Sequence, residues 1–226
     1  MKNIKTLAVI PARGGSKRLN RKNIIKLRSK PLIYYTIEAA KKCKYITDLI
    51  LSSEDDEIIS VAKNYDIEVP FKRPRSLSGD QVRNIEVVQH AMNFMEKKKQ
   101  IKYDNLVLLQ PTSPIRKSED IDHAIKYLSN SKLNTAVSVK GPFKKRDSIL
   151  KKLVQGSIVP YSKKDDTFYI YNASIYAVKT SYFKKYKKLV SNKQIPIIMD
   201  KFHSIDIDDI FDLKLAEMAL KFLKKK

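Results

Sequence analysis

Apolar and polar positions alternate along this chain with two different periods. Short runs dominated by apolar residues, at Thr6–Pro11, Asp48–Ser52, Ile67–Phe71, Asn105–Leu109 and Thr135–Val139, predict strands. Between them apolar residues recur at helical spacing. Pro31 is placed to open a helix on which Leu32, Tyr35, Thr36, Ala39, Ala40 and Cys43 form one stripe, predicted to face a sheet. Glu54–Tyr65, Asn84–Lys97 and Ser118–Leu128 read as further helices. The last carries Glu119, Asp120 and Asp122 near its start, where the helix dipole favours acids. Strands alternating with helices are the signature of βαβ units, so the pattern predicts an α/β fold on a mostly parallel sheet.

The pattern weakens from Gly141 to Lys164, where Lys and Asp dominate and Gly and Pro punctuate, and an excursion from the sheet is expected at about 141–167. Phe168–Val178 then returns as a β-prone run. Ser204-Ile205-Asp206-Ile207-Asp208 reads as a short strand, and Ile210, Leu213, Ala216, Leu220 and Leu223 keep helical spacing after it. A length of 226 residues suits a single domain, 1–226, with that one small excursion and no internal repeat.

Charge changes the picture less than its size suggests. The 46 basic residues against 24 acidic ones leave +22, which points to nucleic acid, an anionic membrane surface or an anionic substrate. The lysines, however, are spread over the whole chain, as a solvated surface requires. A nucleic-acid-binding protein would interleave aromatic residues with its basic stretch, and Arg13 to Lys22 contains none; Tyr182, Phe183 and Tyr186 alternate with lysines at the spacing of helical core anchors. The lone Cys43 excludes an intrachain disulfide and fits a reducing compartment. Leu7–Ile10 is too short for a signal-peptide core and no run approaches a membrane span, so a soluble, unprocessed cytoplasmic protein is expected. In that setting the sequon Asn172-Ala173-Ser174 is a coincidence.

Candidate chemistry lies in the loops that leave predicted strands. Val9 to Ile24 runs from the first strand into Gly14 and Gly15 and then into Lys17, Arg18, Arg21 and Lys22, with Arg13 ahead of the glycines. Glycines let backbone N–H groups converge on an anion, and Arg13, Lys17 and Lys22 add charged donors suited to phosphate oxygens. The spacing matches neither G-x-x-x-x-G-K-[ST] nor G-x-G-x-x-G. Asp206 and Asp208 project to one face of their predicted strand, where their repulsion invites a divalent cation, Mg2+ above all beside a phosphate. The other reading makes Asp208 or Asp209 the cap of the last helix. Gln110-Pro111-Thr112-Ser113-Pro114-Ile115-Arg116 and Arg73 to Asp80 are two further rim loops rich in hydrogen-bonding groups. His90, His123 and His203 are scattered and receive no role.

Taken together, I-P-A-R-G-G-S-K-R-L-N-R-K-N-I at Ile10 to Ile24, R-P-R-S-L-S-G-D at Arg73 to Asp80, L-L-Q-P-T-S-P-I-R at Leu108 to Arg116, N-A-S-I-Y at Asn172 to Tyr176 and S-I-D-I-D-D-I-F-D-L at Ser204 to Leu213 resemble the acylneuraminate cytidylyltransferases, in the family's order and over nearly the whole chain. The resemblance implies a Rossmann-like fold of the nucleotide-diphospho-sugar transferase type, with helices on both sheet faces and a small dimerisation excursion. It implies a cytoplasmic, homodimeric enzyme that uses CTP and Mg2+ to transfer CMP to the anomeric hydroxyl of a nine-carbon 2-keto acid sugar, with release of pyrophosphate. By similarity, Arg13, Ser16, Lys17, Lys22 and Asn23 hold the nucleotide, and Arg73, Ser78, Gly79 and Asp80 build the cytidine pocket. Gln110, Thr112, Ser113 and Asn172 serve the sugar, Asp206 and Asp208 bind the metal, and Arg13, Lys22 and both aspartates act in catalysis.

The chain departs from that family at Ile170, where sialic acid members commonly carry an Arg for the sugar carboxylate, and at Ala173, where they carry Gly. Carboxylate recognition then falls to Lys140 or Lys144, or the acceptor is a different acid of the legionaminic or pseudaminic type. A related nucleotidyltransferase acting on an eight-carbon keto-deoxy acid or a sugar phosphate is the enzyme alternative; a nucleic-acid-binding protein is the distant one.

Overall fold

A computed structural model describes residues 4–144, 151–154, 157–160 and 167–224. The chain opens with strand β1 (Thr6–Pro11), passes through a two-stranded ribbon of β2 (Lys26–Leu27) and β3 (Lys30–Pro31), and enters helix α1 (Leu32–Lys41). There follow β4 (Asp48–Ser52), α2 (Asp56–Lys63), α3 (Asn84–Lys99), β5 (Asn105–Leu109), α4 (Ser118–Asn130) and β6 (Thr135–Lys144). β7 (Lys151–Val154) and β8 (Ser157–Pro160) pair with each other in a separate antiparallel hairpin. β9 (Thr167–Lys179), α5 (Thr180–Tyr186), β10 (Ile195–Met199) and α6 (Ile210–Leu223) complete the order.

The main sheet runs β10-β6-β9-β5-β1-β4. β1 is parallel to β4 and β5, and β6 to β10, whereas β9 is antiparallel to both β5 and β6; β9 therefore runs against the other five strands. Both faces are covered, which explains why β1 reads as a continuous apolar run. Its Leu7 and Val9 meet Val88, Ala91, Met92 and Met95 of α3 and Phe183 of α5. Ala8 and Ile10 meet the opposite layer, built from α1, α2 and α4. A third cluster joins Leu213, Ala216 and Ala219 of α6 to Leu32, Ile115, Ile205 and Ile207.

Three sequence expectations need correction, and one strand, β10, was not expected. Ile67–Phe71 forms no strand; a single bridge links Glu68 to Ile50, and Pro70, which lacks an N–H, follows two residues later. β10 was masked in the sequence by Pro196, which is tolerated because β10 is an edge strand paired with β6 alone. Ser204–Asp208 makes no ladder, although Ile205 and Ile207 are buried as alternation requires and the Ile207 N–H donates to the Thr112 carbonyl at 2.7 Å. On α1, Ala39 and Ala40 of the expected stripe join the sheet-side core with Ile33 and Ile37, while Leu32 and Tyr35 pack in the third cluster, because α6 occupies the helix's other flank. Cys43 falls beyond the end of α1, half-buried, with Sγ donating to Asp122 Oδ1 at 2.7 Å; burial pushes its thiol up to about 12.

Candidate functional site

The parallel strands β1, β4 and β5 end on the same edge of the sheet, and the loops that leave them enclose a cleft of about 520 Å3. Arg13, Lys17, Arg18 and Lys22 line it with cations, and Leu77, Val82 and Val87 add apolar surface. Ser16, Asn23, Arg73, Ser78, Gly79, Asp80, Gln110 and Thr112 also line it, so the three rim loops expected from sequence do converge. Ser113, Asn172, Asp206 and Asp208 lie outside that lining, with Asp208 paired to Arg18 and Lys22.

The first loop owes its shape to contacts beneath it. Asn23 is buried and its Nδ2 donates to the Arg13 carbonyl at 2.9 Å, stapling the loop across its base. Gly14 N–H donates to Glu54 Oε1 at 2.8 Å, so it is engaged by the protein's own carboxylate rather than free for a bound phosphate, contrary to expectation. A Cβ on Gly14 would stand 2.2 Å from Asp55 Oδ2, whereas one on Gly15 would meet nothing within 4 Å. Close approach, not backbone conformation, therefore demands the first glycine. Arg21 turns away from the cleft onto Asp55, at 2.7 Å, and onto Glu57. Asp55 in turn accepts from Ile58 N and caps α2; the Arg21 pairing holds its carboxyl below the usual range.

The remaining cations face acids across the cleft. Arg13 Nη1 and Lys17 Nζ meet the two oxygens of Asp80 at 2.6 and 2.5 Å, and these partners, Lys17 foremost, hold the Asp80 carboxyl low. Arg18 and Lys22 meet Asp208 at 3.2 Å each, and Lys22 Nζ also donates to the Ile207 carbonyl at 3.1 Å. Lys22 is the least exposed of the four cations. Asp209, not Asp208, caps α6: it accepts from Asp212 N at 3.0 Å while Asp212 accepts from the Asp208 and Asp209 N–H groups. Asp208 is thereby left to the cleft.

The third loop is held from inside. Arg116 is buried and donates through Nε and Nη2 to the Ser113 carbonyl at 3.1 and 2.9 Å and through Nη2 to the Gln110 carbonyl; burial pushes its guanidinium down to about 9. Ser113 is fully buried, and its single O–H lies within reach of two acceptors, Asp206 Oδ1 at 3.3 Å and the Asn172 carbonyl at 3.4 Å. The Asn172 amide is also buried, donating to Ser204 Oγ at 2.9 Å. Both side chains hold the wall rather than face a ligand, while Gln110 and Thr112 stand on its surface. Among the described residues no three His, Cys, Asp or Glu side chains gather at a metal-binding distance. Asp208, part-exposed beside Lys22 and Arg18, and Asp206, part-exposed beside the Ser113 hydroxyl, have the donor type that suits Mg2+, which takes one or two carboxylates and completes its shell with phosphate and water.

The histidines lie elsewhere: His90 is edge-on to Phe71, His123 stacks on Tyr127, and His203 pairs with Asp200 at 2.6 Å. Phe183 is fully buried and Tyr182 packs partly against the same core, but Tyr186, although it touches Tyr182, is exposed and anchors no core. Glu54, Asp55, Arg18 and Arg116 were not assigned to the site from sequence. The signal for the first two was available, since Ser53-Glu54-Asp55-Asp56 stands at the carboxyl end of β4, on the edge where ligands bind.

The cytidylyltransferase family matches residues 7–225. The N-acylneuraminate cytidylyltransferase of Escherichia coli O18:K1:H7 is 32% identical over 221 residues, 94% of this chain and 51% of that protein. The CMP-N,N'-diacetyllegionaminic acid synthase of Legionella pneumophila is 34% identical over 96% of this chain and 97% of its own length. A pseudaminic acid cytidylyltransferase of Campylobacter jejuni is 42% identical over 128 residues, 56% of this chain and 55% of that one. The chain thus spans about half the length of two of these relatives and nearly all of the third. Among solved structures, a CMP:2-keto-3-deoxy-manno-octonic acid synthetase complexed with CTP superposes with a TM-score of 0.71 over 98% of this chain and 100% of that one, at 14% identity, a likeness of fold alone.

Proposed function

The chain belongs to the cytidylyltransferase family, and from that premise we propose that it transfers CMP from CTP to the anomeric hydroxyl of a nine-carbon 2-keto acid sugar, releasing pyrophosphate. The observation that carries this reading is one cleft lined both by four cations and by apolar and hydrogen-bonding groups. The apolar residues with hydrogen-bonding groups around them suit a base, and the cations suit a triphosphate. Arg73 with Ser78, Gly79 and Asp80 is read as the base end, and Arg13, Lys17 and Lys22 with Ser16 as the phosphate end, where Asn23 keeps the loop in shape. Gln110 and Thr112 face the acceptor, and Ser113 and Asn172 support that wall.

In the reaction the anomeric oxygen attacks the α-phosphorus and the bond to the bridging oxygen of pyrophosphate breaks. Charge grows on the leaving group, and Arg13 and Lys22 are the cations set to offset it. As they turn to the phosphates they leave Asp80 and Asp208; their present pairs are partly exposed and weakly held. Asp206, with Asp208 once it is free of Lys22, would hold Mg2+, whose chemistry there would be to neutralise phosphate charge and lower the pKa of the attacking hydroxyl.

The acceptor is inferred from Ile170, which lies in register with Lys140 on the adjacent strand. An apolar side chain favours a methyl or deoxygenated carbon, and Lys140 is the neighbouring cation for a carboxylate; Lys144 lies on the same strand, and its side chain is outside the description. The substrate is accordingly read as a deoxygenated acid of the legionaminic or pseudaminic type. The protein is read as a cytoplasmic homodimer; exposed Tyr169, Tyr171 and Ile198 on β9 and β10 support self-association, and no helix among the described residues is long and apolar enough to cross a membrane. The test is a pyrophosphate-release assay with CTP, Mg2+ and a panel of acidic sugars. Deoxygenated nine-carbon acids should exceed N-acetylneuraminic acid in kcat/KM, by at most ~100-fold, since a pocket lined for a methyl rejects a hydroxyl only modestly. Higher kcat/KM for N-acetylneuraminic acid would overturn the sugar assignment. Release only with an eight-carbon acid or a sugar phosphate would overturn the nine-carbon class.

A further inference from the structure

Glu54 lies behind the cleft wall, yet it touches both ends of the site. Its Oε1 accepts from Gly14 N–H at 2.8 Å, under the phosphate-binding loop, and its Oε2 pairs with Arg73 Nη2 at 2.5 Å, under the base end. Arg73 is buried and Glu54 largely shielded, with side-chain exposures of 4% and 17%. Burial by itself raises a carboxyl pKa, but Arg73 and the Gly14 N–H together outweigh it and hold Glu54 below the ordinary value, so it is a carboxylate at neutral pH. Its backbone is equally fixed. Glu54 sits between β4 and Asp55, the cap of α2, and the neighbouring Ser53 carbonyl accepts from Arg73 N–H at 2.8 Å. Arg73 is thus strapped at its backbone and at its guanidinium to the same short segment, while its Nε is buried with no partner.

From this bridge we infer that Glu54 is a positioning residue for nucleotide recognition: one carboxylate sets the Arg73 guanidinium at the base end in fixed relation to the Gly14 loop at the phosphate end. The inference rests on the reading of the cleft as a CTP site. Its physical content is that a buried guanidinium without its counter-charge leaves its place for water or another acid, so contacts to the base are lost. The phosphate loop, by contrast, needs from position 54 only an acceptor for Gly14 N–H. Glu54→Gln separates the two demands. The amide oxygen still accepts from Gly14, and the charge that holds Arg73 is gone.

The experiment is calorimetric titration of the wild-type protein and Glu54→Gln with CTP and with inorganic tripolyphosphate. The wild type should bind CTP more tightly than tripolyphosphate. In Glu54→Gln, CTP should weaken by about 10-fold or more, the order expected when one partner of a buried pair is removed, while tripolyphosphate stays within about 3-fold, an allowance for the retained acceptor. A second arm adds Arg73→Gln; if Glu54 acts through Arg73, Glu54→Gln should cause no further loss of CTP affinity in that background. Equal weakening of both ligands, or of neither, would show that Glu54 supports only the loop or the fold and would overturn the inference. If Glu54→Gln does not fold, Glu54→Asp keeps the charge but is one methylene too short to span both partners. Its CTP-to-tripolyphosphate affinity ratio should still fall at least 3-fold, again an order-of-magnitude figure for a lost hydrogen bond, and an unchanged ratio would sink the inference. Failure of the wild type to bind CTP would instead overturn the parent reading.

Discussion

Lys22 shows how one side chain carries two states of the site. Its ammonium, largely shielded from solvent, meets Asp208 and a backbone carbonyl, and both are poorer partners than a triphosphate. Replacing Lys22 or Arg13 by Ala should lower kcat/KM for CTP about 100-fold, or ~3 kcal/mol, by analogy with the loss of a donor that acts mainly in the transition state. Steady-state kinetics decide the matter, and unchanged parameters would reduce the loop to ordinary surface. Asp206 and Asp208 call for a different readout. Asn at either position should abolish most Mg2+-dependent turnover, yet leave metal-free CTP binding intact. For Asp208→Asn that binding should even tighten, because Lys22 and Arg18 lose a competing anion. Normal Mg2+-dependent turnover in both Asn variants would remove the metal assignment.

Elements meet at the two glycines after β1. Gly14 lies so close to the cap of α2 that any side chain must displace Asp55, which also holds Arg21. Gly14→Ala should therefore cost at least the ~1 kcal/mol of a lost N-cap and lower Tm measurably, whereas Gly15→Ala should leave Tm unchanged. Equal melting temperatures for the two variants would contradict the contact. The pair also marks a limit of sequence reading. G-G after a strand suggested backbone donors gathered on an anion, but the first of them serves Glu54. At Ala173 the backbone takes φ 59, the left-handed region where glycine is favoured, and there the family pattern carries Gly.

Across the whole molecule, carboxylates are tied to bases at distant points: Glu54 to Arg73, Asp55 to Arg21, Glu96 to Lys184. All three carboxyls lie below their ordinary values, for Glu54 and Glu96 despite burial. A depressed pKa contributes stability above the unfolded carboxylate range, near ~4, and loses it as pH falls through the folded value. Asp120 works in the opposite sense, since burial raises it and its contribution fades as pH rises. Asp80, Glu119 and Asp200 are also held low, so with six against one among the described residues the urea midpoint should fall as pH is lowered from ~5 towards ~3. A midpoint independent of pH over that interval would show that these pairs persist in name only.

What the sequence by itself determined is what local periodicity encodes. Four of the five mutually parallel strands, β9 and the helices between them follow from short-range apolar patterns, with β10 hidden by Pro196 and Ile67–Phe71 overstated. Likewise the loops at strand ends announced Arg13, Lys17, Lys22, Arg73, Asp80, Gln110 and Thr112, which line one cleft. Tertiary structure decided which polar groups face that cleft and which lie beneath it. Ser113 and Asn172 have the chemistry of ligand-binding residues, but burial turns them into supports, and Arg21 is drawn off by Asp55. Glu54 gained its place from contacts 40 residues away to Gly14 and 19 to Arg73. Pairings over such separations depend on how strands are ordered in the sheet and on which groups lose access to water, and neither is written in any local window of the chain.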